Sequence, residues 1–441
     1  MTRGSTFGAV AVLCGVQFID VLAVTSVVTA IPAMLAGVSA PTEATPILAT
    51  SYAMLFGGLL VLGARLGDRH GHRKVLLIGI AAFTAVSVVG ATADHVAQLV
   101  AGRGLQGASA AVSVPPALRL VLDATPEGPR RRSALAAWSA TGAAAGALGY
   151  LVGGVLTDLF SWRAVFWVNL PVGFILLVAV WLLVPRAATV LARTRLDLAG
   201  GMLLVAAVMT LILGASLAEA PRHRLAGGLL IIGGVVLAVL FVLAQSRARD
   251  PLVPRAAARS ANLRTGTLVS FVNTATTSST GVLATLFLQG QLGVSAVGAG
   301  LILLPFSLAV VAGSAISKPL GDRLAPRLLG AVGLASIAVG NLLLVLTYGS
   351  IVGIVAGVVV AGVGLGIASV AGNVIGTDVR SDLAGTATGL LNTGAQLGTA
   401  LGVAALIILA AAVPGWGTAV AWGVASAAAA VTALVLAVRR A

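Results

Sequence analysis

The sequence predicts an all-α polytopic membrane protein made of two six-helix bundles plus two inserted helices, 14 transmembrane helices in all. Three observations carry that fold class. The 441 residues are 59% hydrophobic and only 9% charged, whereas a soluble domain carries about 25% charged residues and needs polar cover for its surface. Apolar runs of membrane-crossing length recur along the whole chain, and short motifs of the first half return in the second. The 55 glycines follow no Gly-X-Y period and Cys14 has no second cysteine, so collagen and disulfide-scaffold classes are excluded.

A helical span takes roughly 20 apolar residues. Fourteen runs meet that rule: 8–36, 46–65, 75–93, 96–122, 132–157, 163–184, 197–217, 225–244, 265–289, 297–317, 328–347, 351–374, 384–412 and 417–438. The first exceeds the apolar core of a signal peptide, about 7–15 residues. It is therefore read as a retained helix, although Val38-Ser39-Ala40 imitates a cleavage site.

Basic clusters bound the remaining runs. Arg65, Arg69, Arg73 and Lys74 part the second run from the third; Arg119, Arg130, Arg131 and Arg132 part the fourth from the fifth. Arg186, Arg193 and Arg195 precede the seventh run, and Arg247, Arg249, Arg255, Arg259 and Arg264 precede the ninth. Lys318, Arg323 and Arg327 part the tenth from the eleventh, and Arg380 stands before the thirteenth. With Arg3, Arg439 and Arg440 these are 23 of the 27 basic residues, against Arg163, Arg222 and Arg224 in the odd-numbered loops and Arg103 within a run. Basic residues stay on the cytoplasmic side, so both termini and the even loops are expected to be cytoplasmic in a cell (inner) membrane. The same bias explains the net charge of +14 without a nucleic-acid partner.

The chain repeats itself. Leu66-Gly67-Asp68-Arg69 returns as Leu320-Gly321-Asp322-Arg323, and Leu148-Gly149 with Gly153 returns as Leu397-Gly398 with Gly402. The offsets pair runs 1–6 with runs 9–14 in parallel orientation, as in many carriers. This gives an N-terminal six-helix bundle (1–187), inserted helices 7 and 8 with their flanking loops (188–250) and a C-terminal six-helix bundle (251–441). The inserted pair is expected at the periphery, its arginine-rich flanks touching acidic membrane lipids.

Several motifs resemble those of the major facilitator superfamily, and in particular its fourteen-helix drug:proton antiporters of multidrug and antibiotic efflux. The loop Gly63-Ala64-Arg65-Leu66-Gly67-Asp68-Arg69-His70-Gly71-His72-Arg73-Lys74 is similar to the family's cytoplasmic signature, with Ala64 where Gly is common. Arg103, Gln106 and Gly107 match its second signature. Gly146, Gly149, Gly153 and Gly154 match the antiporter signature, except that Tyr150 takes the place of its proline. Ser161-Trp162-Arg163 through Gly173, Phe287-Leu288-Gln289 through Pro305, and Ala384-Gly385-Thr386 through Gly398 complete the resemblance over nearly the whole chain. It implies the major facilitator fold and a carrier. It also implies a conformational latch at Asp68, Arg69, Arg73, Asp322 and Arg323, and close helix packing at Gly146, Gly149, Gly153 and Gly154.

Ionisable groups inside the membrane are expensive and functional by default. Asp20, near the middle of the first run, and Arg103 are the two that sit clearly within runs, away from their loop ends, so they are expected to carry proton coupling, the proton being the coupling ion. A permanent structural ion pair is the competing reading. Family members usually have an acid three residues after Asp20, where this chain has Ala23. Without further carboxylates, neutral, amphipathic or monocationic substrates fit better than dications. Pocket candidates are Gln17, Thr25, Gln106, Asn273, Thr277, Asn392 and Gln396.

Other classes are weaker. The histidines (His70, His72, His95, His223) lie in loops on different sides, so neither a metal site nor an enzyme constellation forms. No Gly-x-x-x-x-Gly-Lys-Ser/Thr loop occurs, so ATP is not a partner and no cofactor is expected. The expected partners are a small amphipathic substrate, protons and lipid, with a monomer as the working unit. The function expected is proton-coupled export of drugs or antibiotics by alternating access; an uptake carrier or a lipid or metabolite translocator of the same fold is the alternative.

Overall fold

The computed structural model describes residues 3–126, 129–185, 198–219, 223–248, 251, 259–379 and 384–438. Arg186, Arg193, Arg195, Arg249, Arg255, Arg380, Arg439 and Arg440 lie outside the described residues, as do parts of the loops around the inserted pair.

The described residues form helices and no strand. The first six are α1 (Arg3–Gly37), α2 (Thr45–His70), α3 (His72–Ala91), α4 (Val96–Ala124), α5 (Pro129–Leu159) and α6 (Ala164–Leu183), the last interrupted by a turn at Val168. Then come α7 (Leu198–Glu219) and α8 (Arg224–Arg247). The last six are α9 (Ala261–Gly290), α10 (Ala296–Gly321), α11 (Pro326–Leu346), α12 (Ile351–Thr377), α13 (Ala384–Ala412) and α14 (Gly417–Val438). Eleven are long and apolar enough to cross a membrane, and twelve count if α2, bent by 48° between Leu60 and Leu62, is one span. The protein is thus a multi-pass membrane protein. Fourteen spans are not all recovered by that criterion. The polar stretch Asn273–Thr280 lowers the hydropathy of α9.

Helices of each half pack on one another: α1 on α5 and α4, α2 and α3 on α4, then α9 on α13 and α12, α10 on α12, and α11 on α12 and α14. Without a hydrophobic drive between helices in lipid, close approach through small residues holds such bundles. Gly63 and Gly107 do this between α2 and α4: a side chain at Gly63 would strike the Ala111 carbonyl, and one at Gly107 the Tyr52 carbonyl. Gly362 repeats the second contact between α12 and α10, against the Phe306 carbonyl. The α2–α3 turn is a single residue, Gly71, whose φ of +93° no other residue adopts readily.

The two halves meet along two seams, α5 against α10 and α2 against α13. The inserted α7 packs on both α2 and α13, with Val208 and Ile212 buried against Ala53, Met54, Ala400 and Ala404. Beyond it, α8 touches chiefly α7 and turns Leu229, Ile232, Val236, Val239 and Val242 outward, a surface suited to lipid.

Candidate functional site

Asp20 and Arg103 come together around a residue that the sequence did not single out. The Tyr52 hydroxyl of α2 donates to the Asp20 carboxylate of α1. On the same ring, the Arg103 guanidinium of α4 lies 4.7 Å from the centroid, a cation–π contact. All three side chains are buried. Asp20 and Arg103 form no direct ion pair among the described residues; the phenol stands between them. Arg103 donates from Nη1 to the Ala23 carbonyl at 3.2 Å and to Gln106 Oε1 at 3.1 Å. Gln106 continues to Ser87 Oγ at 2.8 Å, which also accepts from Asn169 of α6 at 3.3 Å. A polar chain therefore runs from α1 to α6 across one half.

The signature glycines position α5 on α1. A side chain at Gly149 would meet the Thr25 hydroxyl, and one at Gly153 the Ser26 carbonyl. The second half repeats both contacts: Gly398 faces the Thr274 hydroxyl and Gly402 the Ala275 carbonyl. The hydroxyls repeat as well, Thr25 donating to the Ala145 carbonyl at 3.5 Å and Thr274 to the Ala395 carbonyl at 2.6 Å. The internal repeat is thus a repeat of contacts. Gly154 packs across the seam against the Ala296 carbonyl, whereas Gly146 has no atom nearer than 3.8 Å to where its side chain would be.

Aligning the halves by these contacts shows what the second lacks. Tyr52 corresponds to Phe306, since Gly107 and Gly362 face their carbonyls. Counting back from the matched positions, Asp20 corresponds to Val269 and Arg103 to Val358. The titratable assembly exists in one half only.

Between the halves lies a cavity of about 250 Å³. Arg103 lines it; Asp20 and Tyr52 do not. Of the seven pocket candidates, Thr25 and Thr277 reach it. Gln17 is half-buried with its Oε1 sealed and unpaired, Gln106 belongs to the polar chain, and Asn273 bonds Ser369 at 2.9 Å. Asn392 is exposed and Gln396 packs against Gly57 on the α2–α13 seam. The reading from sequence missed Tyr150, Ser278, Ser307 and Thr399, which do line the cavity. Of these, Tyr150 alone left a signal, as the departure from the proline of the signature.

At one end of the cavity the halves are tied. The Val297 amide donates to Asp158 Oδ2 at 2.9 Å, and Gln289 donates to the Thr29 carbonyl at 2.9 Å. At the α2–α3 turn, Asp68 pairs with His72 at 3.3 Å rather than with an arginine. The one-residue turn brings His72 close to Asp68, while Arg69 points into the open. Arg73 instead donates to the Val184 and Trp181 carbonyls at 2.7 and 2.6 Å, holding the end of α6. Asp322 and Arg323 are exposed, and the structure does not bring them to the other latch residues.

Comparison with known proteins places this architecture. The family model of the Major Facilitator Superfamily matches residues 13–402 and 266–441. The chain is 34% identical over 336 residues to the cephamycin export protein CmcT of Amycolatopsis lactamdurans, covering 75% of this chain and 69% of that protein. It is 31% identical to the puromycin resistance protein pur8 of Streptomyces alboniger, covering 76% of this chain and 66% of that one. Its fold is that of a peptide transporter POT crystallised with sulfate, with a TM-score of 0.74 at 16% identity over 97% of this chain and 93% of the other. The chain belongs to the Major Facilitator Superfamily, whose members are carriers and not enzymes.

Proposed function

We propose that the protein exports amphipathic drugs or antibiotics across the cytoplasmic membrane, driven by protons entering in exchange. The observation that carries this reading is the buried Asp20–Tyr52–Arg103 assembly, with Arg103 alone reaching the cavity between the halves. A carboxylate whose surroundings change as the halves rock takes up its proton on one side and releases it on the other. The cephamycin export protein supports the direction, and with the puromycin resistance protein it supports the class of cargo.

In this reading all fourteen helices cross the membrane, both termini are cytoplasmic, and a single chain is the working unit. The Asp158–Val297 and Gln289–Thr29 contacts close the outer end and break as the cavity opens outward. Inside-out vesicles holding the full chain, with a fluorescent cargo and a pH dye, test it. Accumulation collapsed by a protonophore and lost in Asp20→Asn is expected; accumulation unaffected by either would overturn the coupling.

A further inference from the structure

The central cavity offers hydrogen-bond donors and no counter-charge for a cation. Arg103 is its one charged lining residue; no Asp, Glu, Lys or His lines it among the described residues. Its aliphatic hydroxyls are already engaged. Thr25 donates to the Val21 carbonyl at 3.1 Å, Thr277 to Asn273 at 2.7 Å and Ser307 to Gly146 at 3.1 Å, while Ser278 and Thr399 share a bond of 3.2 Å. One hydroxyl hydrogen of that last pair is left over, and two further donors remain unspent. Arg103 Nε is buried without a partner, on a side chain only 2% exposed. The Tyr150 hydroxyl makes no hydrogen bond among the described residues and faces the same space.

The walls are apolar, with Val24, Val28, Val282, Phe306, Val310 and Leu365 among them. A buried donor left unpaired costs the site its desolvation, so its natural complement is an acceptor on the ligand. Asp20, held beyond the Tyr52 ring, already answers the charge of Arg103. An ionic ligand therefore arrives without a partner for its charge, and a cation meets the guanidinium first, in surroundings that screen little.

We propose that this cavity takes uncharged amphiphiles presenting hydrogen-bond acceptors such as carbonyl or carboxamide oxygens, held by the Tyr150 hydroxyl beside Arg103, and that it rejects cations. The sequence alone admitted monocations; the donor inventory removes them. This inference rests on the cavity being the transport site, so it is tested by binding at equilibrium, where no gradient enters. The volume of about 250 Å³ lies near the lower end of small-molecule sites, roughly 300 Å³, which suits a bicyclic probe.

The full chain in lipid nanodiscs is titrated with 2-naphthoxyacetamide, 2-(2-naphthoxy)ethylammonium and 2-ethylnaphthalene, read by naphthyl fluorescence anisotropy. The amide binds at least tenfold tighter than the ammonium if the inference holds. Tyr150→Phe weakens the amide about fivefold, the size of one net hydrogen bond, and leaves 2-ethylnaphthalene unchanged. An ammonium affinity within tenfold of the amide, or no amide binding at all, overturns the proposal, and the wild-type comparison decides even if the variant does not fold. Ammonium preference with proton-driven efflux intact would sink the substrate class alone. Amide preference with uncoupled efflux would sink the transport reading alone.

Discussion

The Tyr52 hydroxyl is donated to Asp20 from the neighbouring helix, and neither residue touches the central cavity. On the proposed reading cargo and proton are thereby kept apart, and what they share is Arg103, which lines the cavity and lies over the Tyr52 ring.

Tyr52→Phe keeps the ring under Arg103 and removes the donor. The Asp20 carboxylate then loses its partner from α2, and the pH profile of proton-driven efflux is expected to move away from that of the wild type. The pH profile of cargo accumulation in inside-out vesicles checks this. A profile superimposable on that of the wild type would deny Tyr52 any part in coupling.

Gly149→Ala and Gly398→Ala place a methyl on the Thr25 and Thr274 hydroxyls. Overpacking of this kind costs about 1–3 kcal/mol, and both variants are expected to melt several degrees lower in detergent. Gly146→Ala makes an ordinary contact with Val21 at 3.8 Å and is neutral or slightly stabilising, because alanine is the better helix former by roughly 0.5–1 kcal/mol. Equal losses at all three positions would contradict the packing described.

Asp158→Ala removes the cap that joins α5 to the start of α10. One net hydrogen bond, about 1 kcal/mol, shifts the balance toward the outward-open form about fivefold. In a Cys14→Ser background carrying Thr29→Cys, labelling by an impermeant maleimide from outside rises accordingly. No change in labelling rate would mean that the tie is not a gate.

Val205 of α7 occupies the space beside Gly58 on α2. Gly58→Leu drives α7 off the α2–α13 seam and is expected to lower efflux more than Gly228→Leu on α8, where nothing lies within 4 Å. Efflux rates at matched expression compare them. Equal activity would make the seam contact incidental.

Much of the fold was legible because membrane helices announce themselves locally, through apolar length and basic ends. The glycine repeat was legible too, since Gly149 and Gly398 mark close approach wherever they stand. Asp20 and Arg103 were found because charge within an apolar run is conspicuous. Tyr52 was not, because a tyrosine in a span is ordinary until packing sets its hydroxyl against a carboxylate. Likewise Asn392 and Thr399 share one face of a helix two turns apart, and only their depth along it decides that the second lines the cavity. The Asp68 contact went to His72 because the turn at Gly71 was shorter than the loop expected there.

Where one copy of the duplicated bundle has Tyr52, the other has Phe306, and these rings serve opposite ends: the first is sealed beside the acid, the second borders the cavity. On the proposed reading the motor sits in one half alone, and its twin is at liberty to drift. Substitutions on α9, α10, α12 and α13 can re-tailor the cargo without disabling the motor, so strains selected on new compounds should gather their changes downstream of residue 259 and spare the first four helices.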